Sequence, residues 1–76
     1  MKLSDWLDEK KEPRATFARR VGVHPITVTK WCSGIWIPRA DALDRIHAAT
    51  DGAVTANDFL AAVLERRREV EAAEAA

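Results

Sequence analysis

Residues 14–34 read RATFARRVGVHPITVTKWCSG, and the way this stretch divides into two helices decides the architecture of the chain. Phe17, Ala18 and Val21 recur at one-turn spacing, which predicts a short helix with one apolar side. Gly22 follows directly, where a helix that stops sharply takes a left-handed residue. Pro25 then opens another helix, since the first helical position has no use for the N–H that proline lacks. Gly34 closes it. Val28 and Trp31 share the inner face of this second helix, while Ile26, Thr27, Thr29, Lys30 and Ser33 fall on its other faces. Joining the two helices across "GVH" needs a small residue at the crossing (Ala18), a positive φ at the turn (Gly22) and apolar residues to lock the angle. Phe17, Val21, Val23, Val28 and Trp31 supply the last of these. All the requirements of this unit, residues 14–33, are met together, which is far rarer than any one alone.

The same reading extends outward. Ser4 is placed to cap a first helix carrying Leu3, Trp6 and Leu7 on one side. Pro13 fits the start of the helix that holds Phe17. Pro38 begins a fourth helix with Leu43 and Ile46 inward and Asp41 near its positive end. Gly52 ends it. Thr55 and Asp58 form a T-x-x-D start signal, a capping box with Asp in place of Glu or Gln. The last helix then bears Phe59, Leu60, Val63 and Leu64 on a stripe, with Val70 a candidate extension. Beyond it "EVEAAEAA" favours helix but has almost nothing to bury, so it is expected to fray. No strand-like alternation, repeat or low-complexity linker interrupts the pattern. The expected fold is all-α: five short helices in one domain over residues 1–64, with 65–76 as a C-terminal helical extension.

At 76 residues the chain supports one small core without staples. Its single cysteine, Cys32, cannot form an intramolecular disulfide, and with two histidines it gives no zinc spacing. No metal or cofactor is expected. The charged N-terminus "MKLSDWLDEKKE" lacks a signal-peptide core, and no run approaches membrane-spanning length. A cytoplasmic, reduced protein is the expectation, nucleoid-associated when bound to DNA, with no membrane partner.

The formal net charge of zero hides its distribution. Residues 1–12 sum to −1, 41–60 to −3 and 61–76 to −1, whereas 13–40 hold Arg14, Arg19, Arg20, Lys30 and Arg39 with no acid, giving +5. Such a segment is a local footprint for a polyanion, with a solvated face balanced by acids nearby in space as the alternative. Paired carboxylates, a nucleophile–base set and a phosphate loop are all missing, so an enzyme is not expected.

The stretch RATFARRVGVHPITVTKWCSG resembles the lambda-repressor-like (Cro-type) helix-turn-helix family. It follows that family's pattern of a polar residue, then Ala, then Gly four later, then a hydrophobic–x–x–Trp/Leu ending in Ser/Asn-Gly. The following "IP" and the later "DGAVTANDF" look like its compact Cro-like subgroup, which includes YdaS-type regulators described as antitoxins or prophage repressors. The resemblance covers about residues 3–64. It implies that the third helix lies in the DNA major groove while the second spans the backbone. On that implication Arg14 contacts phosphate, and Pro25, Ile26, Thr29 and Lys30 occupy the outward base-reading positions. Thr27 flanks them, Ser33 lies where backbone meets phosphate, and Trp36 and Arg39 follow in the acid-free segment. Two departures matter. The amide readers of adenine common in the family are replaced by Pro25 and Ile26, which shifts readout toward Ile26 on a thymine methyl and Lys30 on guanine. His24 replaces the usual Ser/Thr cap, leaving either a poor cap or an imidazole that meets phosphate, more strongly in mild acid.

The resemblance also implies a homodimer on an inverted-repeat operator, since one motif makes few base contacts. Acting by operator occupancy, it would be a phage or prophage repressor; the rival reading is an antitoxin that binds a partner toxin through its last helix and represses its own promoter. Of Arg19 and Arg20, at most one is expected beside Arg14. Cys32 reads as a partly buried filler, His47 as structural or exposed, and Arg66–Arg68 as a solvated face paired with glutamates. Two tryptophans bracket the Ser-Gly pair. Trp31 is assigned to the core and Ile37 to burial, which leaves Trp36 over the domain edge, at a dimer contact or on a phosphate.

Overall fold

The computed structural model describes residues 1–75 and holds five α-helices and, among those residues, no strand. They are α1 (Leu3–Lys10), α2 (Arg14–Val21), α3 (Pro25–Cys32), α4 (Ala40–Ala49) and α5 (Ala56–Ala75). The all-α reading and its five helices hold. None of these helices is long and apolar enough to cross a membrane.

α2 packs chiefly on α3 and next on α4. Ala18 is fully buried, as a close crossing demands, and Phe17, Val21 and Val28 are buried with it. Gly22 takes φ 74° with open space where a Cβ would stand, so glycine is needed there for conformation alone. Ile46, Val54 and Phe59 complete the sealed centre. Two aromatic pairs brace it: Trp6 tilts on Phe17 at 5.6 Å, and Trp31 meets Phe59 edge-on at 6.2 Å between centroids. Thr50, the one buried polar residue among those described, donates to the Ile46 carbonyl and accepts from the Val54 N–H, so its hydroxyl is satisfied.

Several local expectations need correcting. Ser4 lies inside α1; the helix begins at Leu3 with Lys2 at the cap, which brings Leu3 onto the buried face beside Trp6 and Leu7. Pro13 caps α2 from outside, and Arg14 is its first helical residue. On α4 the buried residues are Ala42 and Ile46, one ridge four residues apart, while Leu43 is only half-buried at the edge of the core. In the α3–α4 connection Ile37 is 49% exposed, and Pro38 is the residue that enters the core.

α5 differs most from its reading. Thr55 N–H and its hydroxyl both donate to Asp58 Oδ2, at 2.8 and 3.0 Å, so the start signal works as expected. Yet only Phe59 of the apolar stripe is buried; Val63 is half-buried, and Leu60, Leu64 and Val70 are exposed. A helix of this length spans about 30 Å, while the molecule measures 40 × 21 × 21 Å. Its second half therefore overhangs the body. It continues as helix to Ala75 where fraying was expected, with no break at residue 64. Ala76 lies outside the described residues.

Candidate nucleic-acid interface

α3 is held from behind and open in front. Val28 and Trp31 anchor it in the core, leaving Pro25 and Ile26 exposed and Thr29 and Lys30 half-buried on the outer side. The residue types placed outward are those the sequence put there, and Ile26, at 51% exposure, is an apolar side chain with no core to join.

His24 settles one open point. Its side-chain Nδ1 accepts a hydrogen bond from the Ile26 N–H at 3.2 Å, so the imidazole caps α3. The expectation of a poor cap is replaced by a working one, because the extended His24 backbone turns the ring over the first helical turn. An unprotonated Nδ1 is required for this bond. The remaining N–H, on Nε2, is then free as a donor at the helix N-terminus, where the helix dipole also favours an anion.

Beyond α3 the chain turns back on it. Gly34 N–H donates to the Trp31 carbonyl, and the Ile35 and Trp36 N–H groups both reach the Lys30 carbonyl, at 3.0 and 3.4 Å. Gly34 has φ 75° and presses on α5 so closely that a Cβ would stand 2.4 Å from the Ala62 carbonyl oxygen. The sequence marks Gly34 as a helix stop and, by the family resemblance, as backbone near phosphate; its packing role depends on α5, far along the chain. The turn displays Ile35, Trp36 and Ile37 outward, each 40–50% exposed. Thr27, Trp36 and Arg39 come together around an open groove between α3 and α4, floored by Trp31 and Ala42. Arg45, which the sequence reading passed over, joins this groove with its ion-pair partner Asp41 and donates through Nε to the Val21 carbonyl at 2.8 Å.

The two remaining site candidates sit apart from that groove. Arg14 is exposed at the first turn of α2. Its charge reaches the Cys32 thiol, whose pKa is pushed up by burial, held up further by Asp8 and opposed by Arg14. Ser33 caps the C-terminus of α3 but borders a separate depression with Lys2, Ser4, Glu65, Arg66 and Glu69, where charges of both signs meet, and does not share the groove.

Electrostatics sorts the basic residues further. Arg20 is spent internally: it pairs with Glu12 at 2.5 Å and donates to the Ala49 carbonyl at 3.1 Å, tying α2 to the ends of α1 and α4. Among the described residues, no ion pair involves Arg14, Arg19, Lys30 or Arg39. The Arg66–Arg68 run makes none either, although glutamates precede and follow it on α5. No group of three potential metal ligands is found among the described residues. No family model matches the chain, and no curated protein and no solved structure matches it.

Proposed function

We propose that this chain is a sequence-specific double-stranded DNA-binding regulator whose α2 and α3 act as a helix-turn-helix. One observation carries the reading: the outward side of α3 belongs to an acid-free segment whose cations Arg14, Arg19, Lys30 and Arg39 have no carboxylate partner among the described residues. Lys30 on this rigid helix, with unpaired cations on the elements before and after it, is suited to phosphate and base edges. In this reading α3 enters the major groove and α2 crosses the backbone. Lys30 reads a guanine edge and Ile26 a thymine methyl, with Thr29 and Pro25 beside them. Arg14, Arg39 and the free His24 Nε2–H position the protein on phosphates, and Thr27 supports the flank. A homodimer would place two α3 helices about 34 Å apart on an inverted repeat. Repression follows from occupancy of the operator, in the manner of a phage or prophage Cro-like protein.

An electrophoretic shift with the DNA flanking its own gene tests the proposal. A retarded band at low salt that survives random competitor DNA is expected. No band, or one equally strong on random DNA, would sink specific binding.

Exposed Leu60, Leu64 and Val70 on α5 favour a second reading, an antitoxin that holds a partner toxin there and represses its own promoter. Co-purification with a neighbouring gene's product that is lost on deleting residues 65–76 would support it. Retention in a variant that lacks residues 65–76 and also carries Leu60→Ser and Leu64→Ser would remove the surface.

A further inference from the structure

Trp36 is a large indole left half-exposed in a turn that is otherwise tightly fixed. Its neighbours explain why it does not simply move. Gly34 is wedged against the α5 backbone at Ala62, and the Trp36 N–H is bonded to the carbonyl of Lys30 itself. The chain therefore folds back over the very residue whose ammonium it covers. Lys30 Nζ lies 5.9 Å from the centroid of the Trp36 ring. Within about 6 Å of an indole face an ammonium is held by the ring quadrupole. No carboxylate competes for Lys30 among the described residues.

We infer that Trp36 is a positioning residue for Lys30, setting its ammonium over the base edge that Lys30 reads. The inference rests on the DNA-binding reading and deepens it, by giving discrimination at one base pair to a residue outside the recognition helix. The physical need is specific. A lysine is a point charge on a flexible four-carbon stem, and it discriminates poorly unless its direction is limited before binding. Here the stem is limited at both ends, by the helix at its Cα and by the indole at its tip. An exposed cation–π contact has the strength to bias that direction about two- to fivefold. Ile35 and Ile37, also exposed but with no aromatic face, have no such effect on an ammonium.

The test uses the full chain, with Trp36→Leu, Trp36→Phe, Lys30→Met and the Trp36→Leu/Lys30→Met double variant. Its first readout needs no DNA: the Lys30 Cε proton resonances in the free protein. They should be shifted upfield by the ring in the parent and in Trp36→Phe, and should move to ordinary values in Trp36→Leu at unchanged melting temperature. Unshifted Lys30 resonances in the parent would overturn the geometry whatever the protein binds. The second readout is competition binding to a duplex selected from a randomised pool, against duplexes changed at the base pair that Lys30→Met identifies. Trp36→Leu should lower discrimination at that base pair about two- to fivefold, and should do nothing further in the Lys30→Met background. Uniform weakening on every duplex that persists in the Lys30→Met background would instead make Trp36 a direct phosphate contact and overturn the inference. If the parent selects no duplex, the regulatory reading fails and the specificity role with it, while the upfield shift still reports whether the indole holds Lys30.

Discussion

The outer face of α3 and the overhanging half of α5 both present cations to solvent, yet they differ in what stands around and beneath them. Lys30 lies in a stretch without a single acid, on a helix whose Val28 and Trp31 are buried to within 4%. Arg66, Arg67 and Arg68 form one run flanked by Glu65, Glu69, Glu71 and Glu74 on a helix segment that buries nothing among the described residues. Neither group of cations makes an ion pair among the described residues. What separates them is the charge of the surrounding stretch, +5 over residues 13–40 against −1 over 61–76, and whether the scaffold fixes their direction. Cations in an acid-free stretch can release the counterions condensed on a polyanion, whereas neighbouring glutamates screen the arginine run.

The largest test of this contrast is removal of what lies beneath each face. Trp31→Ala deletes the ring that meets Phe59 and should cost about 3–5 kcal/mol. In a domain this small that abolishes a cooperative thermal transition followed by circular dichroism. Val70→Ala, on the overhang, should stay within about 0.5 kcal/mol of the parent. Equal effects would mean that α5 buries more than its exposure indicates.

Gly34→Ala comes next. A left-handed alanine alone costs about 1–2 kcal/mol, and the new Cβ would also strike the Ala62 carbonyl. Gly22→Ala meets open space and bears only the conformational cost. Urea titration should therefore rank Gly34→Ala as the more destabilising of the two. A reversed order would break the proposed packing of the α3–α4 turn on α5.

Binding predictions sharpen the electrostatic side. Lys30→Ala and Ile26→Ala should relax base preference by about 1–3 kcal/mol at their own positions. Arg14→Ala should weaken all sequences alike and lower the salt slope by about one unit. Replacing Arg66, Arg67 and Arg68 together by Gln should leave that slope unchanged.

Two smaller effects concern helix starts. His24→Ala should cost about 1 kcal/mol through loss of the α3 cap, and His24→Asn should restore it. For Asp58, burial alone would raise its pKa, but the Thr55 N–H, the N-terminal ammonium and the Thr55 hydroxyl outweigh it and hold the carboxyl below its usual value. A depressed folded-state pKa stabilises above the ordinary carboxyl range, near about 4. That stability is lost as pH falls through the lower folded value. Acid titration of stability should accordingly be flatter for Asp58→Asn than for the parent.

Much of α2 and α3 was legible because local constraints there are stacked within a few residues. Gly22 had to be left-handed, Ala18 had to be small, and Trp31 had to follow Val28 inward, and each is so. Misreadings arose where the answer lay in distant partners. Leu60 and Leu64 lie four apart, beside the Phe59–Val63 pair on the same apolar stripe, but periodicity cannot say where the body of the protein ends beneath them. Ile37 and Pro38 are adjacent apolar residues, and which one enters the core depends on how Gly34 seats against Ala62. Arg20 counted toward the basic segment until folding brought Glu12 to it. Among the candidate contacts, the side of α3 on which each residue lies was readable, whereas the imidazole cap at His24 and the meeting of Trp36 with Lys30 depend on backbone geometry that composition does not encode.

The central claim is that unopposed cations around α3 make a sequence-reading DNA surface, and fluorescence anisotropy tests it most directly. Parent protein and Arg14→Ala would be titrated onto a labelled duplex selected from a randomised pool and onto a scrambled duplex, across a series of salt concentrations. The account predicts tighter binding to the selected duplex at every salt, with a slope reduced by about one unit in Arg14→Ala on both. Equal affinity for the two duplexes, or no binding at the lowest salt, would contradict it.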